Sequence, residues 1–168
     1  MKNLKLTLTL LLLVSFIVTI AQESKLLSEL PETKEQFIAS EENVLATINW
    51  LDNTPITEEE AKHKEQYALL LAWLTNSPTV TIKMNANILD FTKKNNELLI
   101  FFMSGWTKYA LENNYSKDVV QGSLAGIRSA INIYNKGGLK KDKRMQKLVD
   151  LDANGGLEEW VSDQLSKK

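Results

Sequence analysis

Leu98-Leu99-Ile100-Phe101-Phe102-Met103 is an unbroken apolar run, with Gly105 and Trp106 close behind it. A helix that is apolar on every side has no face for water and must be enclosed by protein. The run is too short to span a bilayer, because Lys108 and Glu112 soon follow. It therefore predicts the centre of an all-α fold, a single bundle of about five helices packed around this one. The central helix is expected over about residues 86–113, with a break near Asn95-Asn96.

Downstream, Val120, Leu124, Ile127, Ile131 and Tyr134 recur at helical spacing, with Ser116 as the expected N-cap and Gly137-Gly138 as the stop. On the same helix Gly122, Gly126, Ser129 and Ala130 make a face of small residues. Gly105 and Trp106 of the central helix offer it a notch and a large ring, and tight helix packing is the expected result. A lysine-rich helix over about 140–151 and a turn at Asn154-Gly155-Gly156 lead to a last helix carrying Leu157, Trp160, Val161 and Leu165.

Upstream, Thr79 to Met84 alternates like a strand, with no second segment to pair with it. It is read as an extended connector across the helices. Thr57-Glu58-Glu59-Glu60 has capping-box spacing for a helix running to about Thr75, with Ala61, Ala68, Leu71 and Leu74 inward. Thr33-Lys34-Glu35-Gln36 is a second box, opening a helix over about 33–52 that buries Phe37, Val44, Leu45, Ile48 and Leu51. Residues 22–31 are a short lead-in.

The start of the chain has a different character. Lys2 and Lys5 precede an apolar run from Leu10, which ends at Thr19-Ile20-Ala21 before polar Gln22-Glu23-Ser24. This is the layout of a cleavable secretory signal peptide over 1–21. Removing 21 of the 168 residues leaves 147, expected as one helical domain over 22–168 in the periplasm or secreted. The chain has no cysteine, so packing rather than disulfides must hold it. Without Lys2 and Lys5, 18 basic residues face 21 acidic ones, which is not the balance of a nucleic-acid binder. No second segment of spanning length follows, so the mature chain is expected to have no transmembrane segment.

Several constellations invite a chemical reading. Asp150-Leu151-Asp152-Ala153-Asn154-Gly155-Gly156-Leu157-Glu158 resembles the first half of a calcium loop, with oxygens at positions one, three and five and glycine at six. Position twelve, where the closing bidentate acid belongs, is Val161. Glu60-Ala61-Lys62-His63 has the Glu-x-x-His spacing of di-iron bundles, but those need a second histidine and His63 is the only one. His63 is expected to face solvent among Lys62, Lys64 and Glu65. Gly122-Ser123-Leu124-Ala125-Gly126 lies within a helix and is no nucleophile elbow. Asn114-Tyr115-Ser116 matches a glycosylation sequon, with nothing else pointing to a eukaryotic secretory route.

Lys136, Lys140, Lys141, Lys143, Arg144 and Lys147 form a basic stretch. In an exported protein it could touch anionic lipid or polysaccharide, although such runs are most often simply solvated. Of the four tryptophans, Trp50 and Trp73 fit their helical stripes least well and are the expected exposed rings; Trp106 and Trp160 are expected in the core.

The segment from Asn96 to Glu112, with the Ala21-Gln22 junction and the Gly156-Leu157-Glu158-Glu159-Trp160 ending, resembles small uncharacterised exported helical proteins of Gram-negative bacteria. The resemblance implies export and an all-helical fold and carries over no site residue. The expectation is thus an exported helical binding or adaptor protein, non-catalytic, acting on a protein or other envelope component. No catalytic, cofactor or metal residue is assigned. The alternatives are a carboxylate-dependent hydrolase of the envelope and a weak calcium binder through residues 150–158.

Overall fold

The computed structural model describes residues 25–167; the expected signal peptide lies outside them. Among the described residues there are seven α-helices and no strand. They are α1 (Lys34–Ala39), α2 (Glu41–Asn53), α3 (Glu60–Asn76), α4 (Leu98–Glu112), α5 (Val119–Lys136), α6 (Lys143–Ala153) and α7 (Leu157–Ser166), with a 3-10 helix at Leu89–Lys93 before α4. The fold is the all-α bundle expected from the apolar run. No helix of the described residues is long and apolar enough to cross a membrane.

The centre is the pair α4 and α5. Leu98, Phe101 and Phe102 of the apolar run are fully buried, and Trp106 is nearly so. The two helices approach each other where neither carries bulk. A β-carbon on Gly105 would overlap the backbone carbonyl oxygen of Ala125. One on Gly122 would lie 2.5 Å from the Trp106 ring, and one on Gly126 would lie 2.6 Å from the Phe102 carbonyl oxygen. The small-residue face is therefore a packing surface, as the spacing of its glycines suggests. Each glycine receives a ring or a backbone segment of α4.

The capping box at Thr33 forms: the Gln36 N–H donates to Thr33 Oγ1 at 3.3 Å, and the Thr33 N–H donates to Gln36 Oε1 at 3.1 Å. The single helix expected behind it is instead two, α1 and α2, because the chain bends at Ser40. The Ser40 hydroxyl donates to the Phe37 carbonyl at 2.8 Å and accepts the Trp73 indole N–H at 2.8 Å. A serine that bonds the backbone behind it competes with the helical ladder and bends it.

At the start of α3 the box predicted at Thr57 does not form. Residues 55–58 make a turn in which the Glu58 N–H donates to the Pro55 carbonyl at 2.9 Å, and the helix begins at Glu60. Glu59, the N-cap, sits in the left-handed region at φ 47°. The buried face is also not the one predicted. Leu71 is 48% exposed, whereas His63, Gln66, Leu70 and Trp73 are buried. Polar Gln66 is tolerated inside because it is bonded. It accepts from Thr47 Oγ1 at 3.3 Å and donates to the Leu27 carbonyl at 3.2 Å, while the Leu27 N–H donates to Thr47 Oγ1 at 2.8 Å. This closed triangle fastens the lead-in segment onto α2 and α3. Trp73, expected as an exposed ring, has no exposure at all.

Residues 79–85 form the extended connector, with Val80 buried and Met84 exposed. The break near Asn95-Asn96 separates the 3-10 helix from α4. The N-cap of α5 is Asp118 rather than Ser116: its carboxylate accepts the Gln121 N–H at 3.0 Å. Ser116 sits two residues earlier and accepts the Asp118 N–H instead. Gly137 ends α5 at φ 88°, where a left-handed residue is required.

Candidate functional site

The sequence candidates separate once placed. His63 is not on the surface: its ring is 2% exposed. It lies between Trp50, at 4.7 Å between ring centroids, and Tyr67, at 5.5 Å; Tyr67 in turn meets Phe101 edge-on at 5.7 Å. Among the described residues neither imidazole nitrogen has a hydrogen-bond partner, nor does the Tyr67 hydroxyl. Burial pushes the His63 pKa down, against the pull of the Pro55 carbonyl and the Glu59 carboxylate; the Lys62 charge adds to the lowering. Burial also pushes the Tyr67 hydroxyl up, with a smaller contribution from Glu97. Trp50 is half-buried and carries the Lys62 ammonium 4.6 Å from its ring centroid.

A pH dependence follows. The folded state holds His63 neutral below its ordinary pKa, so the unfolded chain binds the proton first. Stability contributed by His63 is complete above that ordinary value and is lost as pH falls through it, levelling below the folded pKa. Urea denaturation of the parent and of His63→Leu from about pH 7.5 to 5 checks this. The parent is expected to lose stability relative to the variant as pH falls. A constant difference between the two contradicts it.

The calcium loop is not a loop. Asp150 and Asp152 lie in the last turns of α6. Asp150 accepts the Gln146 side-chain amide at 3.0 Å, and Asp152 pairs with Arg128 at 2.9 Å. Residues two apart on a helix point to nearly opposite sides, so these carboxylates cannot converge on one ion. Among the described residues no group of three or more acidic or histidine side chains is placed to hold a metal.

Burial raises the pKa of the Asp52 carboxyl, the direction a hydrolytic acid would need. It accepts the Ser129 hydroxyl at 2.7 Å and borders a shallow cleft with Lys108, Arg128 and Glu112. Its surroundings are those of a helix end. The Asp52 backbone carbonyl, in the last turn of α2, accepts the Asn132 amide at 2.8 Å and the Lys136 ammonium. Carbonyls at a helix C-terminus lack intrahelical donors, and α5 supplies them here. Lys136 is thereby drawn away from the basic stretch.

The rest of that stretch gains charge from a distant segment. Asn95 is buried; its side-chain amide donates to the Lys140 carbonyl at 2.9 Å and accepts the Lys140 N–H at 2.9 Å. This reciprocal clamp pins the α5–α6 loop to the end of the 3-10 helix. Lys94 then donates its ammonium to the Lys141 carbonyl at 2.5 Å. Asp142 caps α6 by accepting the Arg144 N–H at 2.8 Å. With Met145 and Leu148 buried, Lys143, Arg144 and Lys147 are left on the outside of α6. Lys93 and Lys94 therefore join Lys140, Lys141, Lys143, Arg144 and Lys147 on one side of the molecule.

Counter-charge on this face is sparse. Asp90 holds Arg144 at 2.5 Å and also pairs with Lys93; those cations keep its pKa low, the Lys93 hydrogen bond most of all. Asp142 lies 3.9 Å from Arg144. Lys140, Lys141, Lys143 and Lys147 make no ion pair among the described residues. Two depressions flank Arg144. One lies toward Tyr134 and Leu139, the other toward Ile88, Phe91 and Trp160. Trp160, expected in the core, is half-buried at the edge of the second.

Lys93-Lys94 was visible in the sequence as a dibasic pair, yet nothing local joined it to residues 140–147. Asn95 is the joining residue, and a buried asparagine satisfied by a distant backbone has no sequence signature. No family model, curated protein or solved structure matches the chain, so the chemistry of this face is the guide to function.

Proposed function

We propose that this protein is an exported, non-catalytic helical binding module that engages an anionic component of the cell envelope through the face built by the 3-10 helix and α6. The observation that carries the reading is the convergence of Lys93 and Lys94 with Lys140, Lys141, Lys143, Arg144 and Lys147, in a chain that carries more acidic than basic residues overall. Concentrating cations on one side of an otherwise acidic protein creates a directed field, which steers and holds anionic partners. Export rests on the 1–21 pattern and on the resemblance to exported helical proteins. The hydrolytic alternative rests on Asp52, whose carboxylate is engaged by the Ser129 hydroxyl.

The test reverses charge where no fold contact is lost. Lys140, Lys143 and Lys147 are exposed and make no side-chain hydrogen bond. The triple change to glutamate is expected to leave the melting temperature within a few degrees of the parent. Each charge near an anionic surface is worth about 1 kcal/mol, so association with the envelope fraction should fall by about a hundredfold or more. Raising the salt concentration should weaken the parent in the same direction. Undiminished association of the triple variant contradicts the reading.

A further inference from the structure

We propose that the groove between the 3-10 helix, α6 and α7 binds an acidic saccharide, with its carboxylate or sulfate on Arg144 and Lys147 and a sugar ring against Trp160. The inference rests on the basic face being the contact surface, and it names the partner. The groove has a volume of about 490 Å³, within the range of small-ligand sites. Arg144 is oriented by Asp90, which takes its Nε at 2.5 Å. Its Nη1 lies 3.9 Å from Asp142, beyond hydrogen-bond distance, so the Nη pair makes no hydrogen bond among the described residues, and a planar guanidinium edge suits a carboxylate or sulfate bidentately. Lys147 lines the same groove one turn along and makes no ion pair among the described residues. Asn87 stands at the rim, and its amide makes only a long 3.5 Å bond to the Gln164 carbonyl. Trp160 supplies a half-buried aromatic ring; such a ring gives the C–H face of a sugar an apolar surface while leaving its hydroxyls wet.

The same groove is unsuited to a lipid chain. Its floor is Ile88, Phe91 and Leu148, and these are 1%, 2% and 2% exposed. An acyl chain binds by covering open apolar surface, and this floor is already covered by its own neighbours. What the groove presents to a ligand is cationic and amide groups around one ring, with one carboxylate, Asp90, in its lining already held between Lys93 and Arg144. Saccharide chemistry uses all three, whereas a lipid surface would use only the charge.

The experiment uses the full chain and its processed form, with polygalacturonate as the probe, its methyl ester as the uncharged control, and phosphatidylglycerol vesicles as the membrane control. Binding is read by calorimetry and by tryptophan fluorescence. Expected are binding of polygalacturonate, little or no binding of the ester, and a fluorescence change that disappears in Trp160→Phe. Lys147→Glu should weaken binding about tenfold, since it replaces attraction by repulsion at the site, while Lys34→Glu on α1 should leave it unchanged. Equal binding of the ester overturns the inference, as does polygalacturonate binding with no Trp160 response. Binding to vesicles alone overturns the saccharide and leaves the anionic-partner reading standing. Failure of all three probes overturns the inference, while the envelope association of the Lys140, Lys143 and Lys147 variant decides the broader reading separately.

Discussion

Gly105→Ala is expected to destabilise the protein by about 2–3 kcal/mol, the size of a typical overpacking penalty. The sign is diagnostic. In a helix that merely faces solvent, glycine to alanine gains about 1 kcal/mol from helix propensity. At Gly105 the added carbon meets the backbone carbonyl of Ala125 and, at 2.8 Å, the Ser129 β-carbon. Neither is the end of a flexible side chain, so α4 and α5 must separate to admit it. Separation would loosen the contacts of Phe102 and Trp106, the two large rings seated against Gly126 and Gly122. The matched control is Gly156→Ala. Gly156 has an ordinary φ of −91°, and its added carbon meets nothing nearer than the Leu151 side chain at 3.3 Å. That change should cost no more than about 1 kcal/mol, the loss of a favoured N-cap residue. Urea denaturation followed by tryptophan fluorescence measures both. A neutral or stabilising Gly105→Ala would show that the two central helices are not as close as described.

Trp73→Ala is expected to cost about 3–5 kcal/mol, the usual range for deleting a large buried aromatic side chain. Trp73 is fully buried, contacts Phe37 at 6.0 Å between ring centroids, and donates its indole N–H to Ser40 at the α1–α2 bend. One side chain thus holds three helices in register. Ser40→Ala separates the contributions. It keeps the ring but removes the acceptor, leaving a buried N–H unpaired at a cost of about 1–3 kcal/mol. Equilibrium unfolding of the two variants should rank Trp73→Ala well below Ser40→Ala. If Trp73→Ala lost less than about 1 kcal/mol, the ring would be on the surface after all.

These two sites mark how far the sequence could be read. Leu98 to Met103 is apolar all round, and Leu98, Phe101 and Phe102 are buried as that composition requires, while Leu99, Ile100 and Met103 are half-buried. The α5 stripe was equally plain, and the glycines at 122 and 126 marked the side from which a neighbour approaches. Pattern failed on α3, where hydrophobicity assigned the wrong face. Its interior carries Gln66, bonded to Leu27 and Thr47 far away in sequence, and His63, packed between the Trp50 and Tyr67 rings. Leu71, the apolar residue that looked inward, is outside because the face carrying Gln66, Leu70 and Trp73 is the one packed inward. The N-caps show a milder form of the same problem. Ser116 and Asp118 are both good caps two residues apart, and it is Asp118 that accepts the Gln121 N–H, with Ser116 bonded to the Asp118 N–H.

The basic face was half legible. Residues 136–147 read as a cationic run, but a run on one helix is weak evidence of a surface that binds. The structure removes Lys136, which turns to the end of α2, and brings in Lys93 and Lys94 through Asn95. Lys143, Arg144 and Lys147 stay outward because Met145 and Leu148 fix the rotation of α6. The groove could not be foreseen, since its lining comes from elements separated by more than fifty residues, from Ile88 to Trp160.

Lysine footprinting of the unmodified protein shows whether the basic face is the surface of contact. Acetylation rates at each lysine are compared with and without the envelope fraction and read by mass spectrometry. Lys93, Lys140, Lys143 and Lys147 are expected to be protected, with Lys34 on α1, Lys64 on α3 and Lys117 before α5 reacting as before. Protection at Lys34, Lys64 or Lys117 with the basic face unchanged would contradict it.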